Sequence, residues 1–349
     1  MSREYGLNAV HLRPNPRIAH TEYSVGNYHH GVIDAVLGDK RTGTRQDVKL
    51  FGDAWDYDFI FGVNDGAVGW QQRGRTSDMG HADYAEGGTD RRETSTCPFE
   101  DPEEVLEFDA VKEYGLPDFA ELVKYYEDSY QSNQALFDGQ LCTGGYYKSI
   151  ISGAIQAFGW DMLLMAAADQ ERFAKVLRSI ANLTLHHVKA WAETSIEVFI
   201  QHDDFVWTEG PFVHPDFYRK VIIPMFSEFW DVLHKAGKKV LFCSDGKFDM
   251  FMPDLAAAGA EGFIFEPMND FGWVVDNFGA THCLVSSAVD CRTMTFNGWE
   301  AVKEEMDRTL ELADKCGGLI WACGNHMPAN IPIDICLKYM DYLRANWAR

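Results

Sequence analysis

A chain of 349 residues with 46% hydrophobic and 24% charged side chains is globular in composition and of a length that suits one α/β barrel. Its formal net charge of −22 leaves no positive track for phosphate backbones, so a nucleic-acid partner is not expected. No apolar run approaches the roughly 18 residues a membrane span needs, and residues 1–17 are polar, so neither a membrane nor a signal peptide is expected. The eight cysteines are scattered without a Cys-x-x-Cys pair, which fits free thiols or metal ligands in a reducing cytoplasm.

In chain order, short apolar runs at 18–25, 57–63, 138–142, 196–204, 239–245, 262–266, 283–289 and 318–323 read as eight strands. Helical stretches fill most of the gaps. The stretch 147–192 is long enough for two helices with a break near Asp169. The stretch 215–236 opens on Pro215, repeats apolar residues at Val221, Ile222, Met225, Phe226, Phe229 and Val232, and stops at Gly237. Helices are also expected over 297–315 and 332–349. Residues 64–109 fit neither period and read as a long irregular loop near a site. No repeat, low-complexity tract or linker interrupts this order. The expectation is one (β/α)8 TIM-barrel domain over 1–349, with an N-terminal extension of about residues 1–17.

In such a barrel, chemistry sits where strands end. Cys243 and Asp245, two apart at a strand end, share a face, and with Glu266 and Cys323 from later strands they offer sulfur and oxygen donors suited to zinc. The plainer reading is that the cysteines only fill space. Consecutive acids are costly to bury unpaired, and of Asp203 and Asp204 only one faces the centre; Asp204 is the catalytic candidate, with a structural ion pair as its alternative. His202 and Trp207 flank it as substrate-binding candidates. In the loop, Arg73 or Arg75 can fork onto a substrate carboxylate, and Tyr84 or His81 can donate a proton, unless these residues only pair among themselves. His326 is an acid, a ligand or a loop histidine. The adjacent pairs His29–His30 and His186–His187 lack the spacing of a helical metal site. No P-loop, Gly-x-Ser-x-Gly elbow or strand-linked Gly-x-Gly-x-x-Gly occurs.

Three stretches carry a family resemblance across roughly residues 50–345. One is Gln201-His202-Asp203-Asp204 running into Gly210 and His214-Pro215. Another is Lys238 to Pro267, KKVLFCSDGKFDMFMPDLAAAGAEGFIFEP, and the last is Gly317 to Pro332. Together they resemble the uroporphyrinogen decarboxylase superfamily. The superfamily's decarboxylases carry an Arg-Gln-Ala-Gly-Arg element that is absent here, and the chain is more similar to the corrinoid-dependent methyltransferases. Zinc-dependent members carry His-x-Cys and a later Cys. Here Cys243 and Asp245 stand at the first two positions, and the third falls near Asn325, with Cys323 two residues earlier.

The resemblance implies transfer of a methyl group from a small methylated substrate, in its sharpest form an aromatic methyl ether, to a Co(I) corrinoid. The metal implied is zinc on an altered ligand set, Cys243, Glu266 and Cys323, with Asp204, Asp245 and His326 as catalytic groups. Trp207, Phe205 and Tyr84 would wall an aromatic pocket. No Asp-x-His-x-x-Gly signature is present, so the corrinoid (a cobalamin) is expected on a partner protein that complements an acidic surface, with a homodimer left open. Alternatives are transfer from a methyl-corrinoid to a thiol or pterin, and cofactor-free decarboxylation with Arg73 or Arg75 on the carboxylate and Asp204 on a protonated intermediate. A non-catalytic barrel that binds a small ligand is the reading from another class.

Overall fold

Nine short strands are found among the residues described by the computed structural model, 2–23, 29–79 and 96–349. They are β1 (Ala19–His20), β2 (Phe59–Ile60), β3 (Leu141–Cys142), β4 (Gly144–Tyr146), β5 (Val198–His202), β6 (Lys239–Ser244), β7 (Gly262–Phe265), β8 (Cys283–Val285) and β9 (Gly318–Trp321). One parallel sheet runs β4-β5-β6-β7-β8-β9-β1, and β2 pairs in parallel with β3. β3 and β4 are one segment parted at Thr143: its first half pairs with β2 and its second with β5. Between β1 and β2 the ring is closed by Asp58 N–H to the His20 carbonyl at 2.8 Å and by the Thr21 hydroxyl to the Phe59 carbonyl at 2.6 Å. With β3 and β4 counted as one, these strands close an eight-stranded (β/α)8 barrel.

Strands covered on both faces must be apolar on both. Alternation sends Ala19, Phe59, Leu141, Ile200, Leu241, Ile264, Val285 and Ile320 into the barrel interior. Phe199, Phe242, Phe263, Leu284, Leu319 and Trp321 point outward against the helices. At the N-terminal end of the barrel, the helix Arg3–Val10 adds Ala9 and Val10 to the interior layer, so residues expected as an extension plug the barrel floor. That plug lies so close to β9 that a Cβ on Gly318 would meet the Ala9 carbonyl oxygen at 1.9 Å.

The stretch 147–192 forms two helices, Ile151–Ala166 and Gln170–Ala192, and the Asp169 side chain caps the second by accepting from Arg172 N–H. The helix expected over 215–236 is interrupted: Pro215–Phe217 passes through a π turn at Tyr218–Ile222 into Ile223–Lys235. Pro224 has no N–H to return to the carbonyl four residues back, and the chain widens there. The strand expected at 138–142 is displaced to Leu141–Tyr146. Gly145 belongs to it because a Cβ would meet the carbonyl oxygens of Ile200 at 2.6 Å and Gly62 at 2.7 Å. Within 64–109, the described residues form loop apart from a turn at Trp70–Gln72 and the helix Pro102–Leu106. Among the described residues, no helix is long and apolar enough to cross a membrane.

Candidate active site

Two adjoining cavities of about 480 and 520 Å³ lie where the strands end, and Asp245, Glu266, Gly324, Asn325 and His326 line both. These residues follow β6, β7 and β9 directly.

β5 delivers the first cluster. Asp203 is fully buried and turns outward, where it accepts from the N–H groups of Ile150 (2.8 Å), Ile151 (3.1 Å) and Ser152 (2.8 Å) and from the Ser149 hydroxyl (2.8 Å). It thereby holds the start of the helix Ile151–Ala166; burial still lifts its pKa to about 6 against those donors. Asp204 turns the other way and lines the second cavity. Its Oδ1 accepts from His202 Nε2 and from Asp245 N–H, each at 3.0 Å, and the Tyr147 hydroxyl also bonds to it. Burial works against a charged His202, but the Cys243 sulfur and the Asp204 carboxylate outweigh it and raise the pKa well above the usual imidazole value.

β6 and β7 add further acids. Cys243 and Asp245 both line the first cavity. The enclosing walls of the mouth, with the charges of Asp204 and Glu266, push the Asp245 carboxyl above its usual range, although the residue itself is exposed to solvent. Glu266 accepts from Gly246 N–H at 2.7 Å and from the Asn325 amide at 2.6 Å, and burial raises its pKa too. Gly246 has φ +81°, and a Cβ there would meet the Trp207 carbonyl oxygen at 2.5 Å, so the β6 turn can tuck beneath the loop after β5 only as glycine. After β9, His326 is kept neutral near pH 7: burial first, then the charge of His202, lower its pKa to about 4.

Among the described residues, those gathered closely enough to hold a cation are His202, Asp204 and Asp245, whose ligand atoms lie within 4.8 Å of one another. The expected set of Cys243, Glu266 and Cys323 is not among the groups gathered this closely. Cys243 belongs to the interior layer of the barrel, whereas Cys323 is buried in the outer layer between strands and helices and lines neither cavity. Two residues beyond Trp321, it falls on that same outward face. Its Sγ lies 3.1 Å from Cys291 Sγ, and its N–H donates to Glu22 at 2.8 Å. Glu266, meanwhile, is engaged by Gly246 and Asn325.

Other expectations are redistributed. Arg75 binds both oxygens of Glu113 and lies over the Phe99 ring, and neither it nor Arg73 lines either of these two cavities. Phe205 is core, packed among Tyr218, Phe226 and Phe242. Trp207 does line the second cavity, with Trp160 beside it at a ring separation of 5.5 Å. Tyr84 and His81 lie outside the described residues. Tyr147 and Trp160 were not anticipated. Tyr147 follows β4 as the other site residues follow their strands, a signal hidden by the displaced placement of that strand. His187, in one of the discounted pairs, is buried with Nδ1 2.6 Å from the Tyr126 hydroxyl.

The mouth is acidic. Asp204, Asp245, Glu266 and Asp290 line the second cavity with Arg292, whose guanidinium is bonded to Asp290. Arg45, at an exposed edge of the first cavity, is bonded to Asn133.

Fold and site together define a (β/α)8 barrel whose polar groups converge on one C-terminal mouth. The chain belongs to the uroporphyrinogen decarboxylase (URO-D) family, whose sequence profile matches residues 93–345. No curated protein sequence matches it. Among solved structures, a methyltransferase from Methanosarcina mazei superposes with a TM-score of 0.64 at 13% identity, covering 98% of this chain and 97% of that one. A sugar phosphate isomerase/epimerase from Parabacteroides distasonis reaches a TM-score of 0.38 at 9% identity, covering 95% of each chain. At 13% identity the likeness to the methyltransferase is one of fold.

Proposed function

We propose that the protein is a methyltransferase that takes a methyl group from a small methylated substrate, an aromatic methyl ether in the sharpest form, and passes it to the Co(I) corrinoid of a separate protein. The observation that carries this reading is the convergence of His202, Asp204 and Asp245 within 4.8 Å at an acidic, tryptophan-walled mouth. Family membership and the full-length fold likeness to a methyltransferase support it.

One imidazole nitrogen and two carboxylate oxygens form a donor set that suits zinc, and a divalent cation would offset the crowded acids. Bound there, the metal would supply Lewis-acid polarisation of the leaving heteroatom. The chain's own residues do the rest. Tyr147 and the Asp245 N–H orient Asp204. Asn325 and Gly246 fix Glu266. Trp160 and Trp207 offer an apolar wall for a ring, and His326 stays neutral as a hydrogen-bond partner. The methyl carbon must face the open mouth, because its acceptor arrives on another protein.

The decarboxylase alternative calls for Arg73 or Arg75 over a substrate carboxylate; Arg75 is held by Glu113, and neither residue lines the two cavities at the mouth, which speaks against it. The test has two parts. Zinc content of the purified protein and of Asp245→Ala is measured first, with near-stoichiometric metal expected only in the parent. Methyl-cobalt formation on a reduced corrinoid protein is then followed spectroscopically as methyl ethers are added. Absence of any substrate-dependent methyl-cobalt signal would overturn the reading.

A further inference from the structure

Cys291 and Cys323 stand beyond the ends of the neighbouring parallel strands β8 and β9, with their sulfurs 3.1 Å apart. Sulfurs 3.1 Å apart need to close by only about 1 Å to reach the roughly 2.05 Å of a disulfide bond. Cys291 opens the helix Cys291–Phe296, is half-buried and lines the second cavity, so it can be reached from solvent. Cys323 lies fully buried behind it. Neither belongs to the His202–Asp204–Asp245 group.

We propose that Cys291 and Cys323 form a thiol–disulfide exchange site that takes small disulfides at the cavity mouth. The Cys291 sulfur attacks the disulfide; one S–S bond breaks, a mixed disulfide forms and one thiol leaves. The Cys323 sulfur then attacks the Cys291 sulfur, closing the 291–323 bond and releasing the second thiol. The pair loses two protons and two electrons, and the incoming disulfide gains them. The reduced Cys291 thiol donates to the carbonyl oxygens of Asn325 at 3.4 Å and His326 at 3.1 Å. Oxidation removes that proton, and with it a tie on the loop whose Asn325 amide holds Glu266. The redox state of the pair is thereby felt at the mouth, whichever reaction the mouth performs.

The experiment uses the full chain carrying Cys97→Ser, which removes the exposed thiol. It is incubated with oxidised glutathione and followed by intact-mass and peptide-mapping mass spectrometry. The expected product is lighter by two hydrogens, contains linked 291 and 323 peptides, and reverts with dithiothreitol. Adding Cys291→Ser should abolish the mass loss, and Cys323→Ala should leave glutathione on Cys291. A parent that keeps both thiols free, that stops at the glutathione adduct, or that still loses two hydrogens after Cys291→Ser overturns the proposal. If Cys323→Ala does not fold, the parent and Cys291→Ser still decide it.

Discussion

Asp203 and Asp204 are adjacent in sequence, yet their carboxylates serve opposite sides of the barrel wall. Asp203 reaches out to Ser149, Ile150, Ile151 and Ser152, and Asp204 binds His202 and Asp245 at the mouth. The division follows from strand alternation carried just past the end of β5. One acid fixes a helix; the other contributes to the site.

Their substitutions should therefore separate stability from activity. Asp203→Ala strands buried N–H groups at the start of Ile151–Ala166 and should cost about 2–4 kcal/mol. Asp204→Asn keeps the shape at a partly exposed position and should cost under about 1 kcal/mol while methyl transfer falls at least about tenfold. Urea midpoints and methyl-cobalt formation rates read the two effects. Equal destabilisation by both variants would contradict the division.

Metal affinity should follow the observed geometry rather than the motif. His202→Ala or Asp245→Ala should remove zinc binding, and Tyr147→Phe, which deletes only the hydroxyl on Asp204, should weaken it by about tenfold. Cys323→Ser should leave zinc affinity unchanged. Competitive titration against a chromophoric chelator distinguishes these outcomes.

His187 gives stability a pH dependence away from the site. Burial, then the charges of His186, Arg73 and Lys148, lower its pKa to about 3, against roughly 6.5 when unfolded. Above pH about 6.5 both states are neutral and the residue contributes no slope. Between there and about 3 the unfolded chain takes up a proton that the folded chain refuses, so stability is lost as pH falls. The urea midpoint should drop from pH 7 to pH 5 more steeply in the parent than in His187→Gln. Parallel profiles would show that His187 carries none of the slope.

The barrel was legible because parallel strands covered on both faces appear as apolar runs, and seven of the eight runs contain their strands. The eighth run stops short of Gly144 and Gly145 in the observed strand, which have no side chain to announce a strand and are there for close backbone approach. Tyr147 was hidden with it. The face on which a cysteine emerges depends on register: Cys243 points in and Cys323 out, although both follow short apolar runs. The Cys291–Cys323 contact joins residues 32 apart, one opening a helix and the other just past a strand, and no local pattern encodes it.

The barrel floor offers a last test, because two adjacent glycines there meet different surroundings. A Cβ on Gly318 would lie 1.9 Å from the Ala9 carbonyl oxygen, and backbone cannot swing aside as a side chain can. A Cβ on Gly317 finds the Ala280 carbonyl oxygen and Leu12 Cβ both at 3.4 Å, which is ordinary contact. Gly318→Ala must push the helix Arg3–Val10 off the barrel or bend β9, and overpacking of that kind costs about 1–3 kcal/mol or more. Gly317→Ala removes only backbone freedom and should stay within about 1 kcal/mol of the parent. Urea denaturation of the two variants side by side makes the comparison. A Gly318→Ala midpoint equal to that of Gly317→Ala would mean that the N-terminal helix does not plug the barrel at this distance.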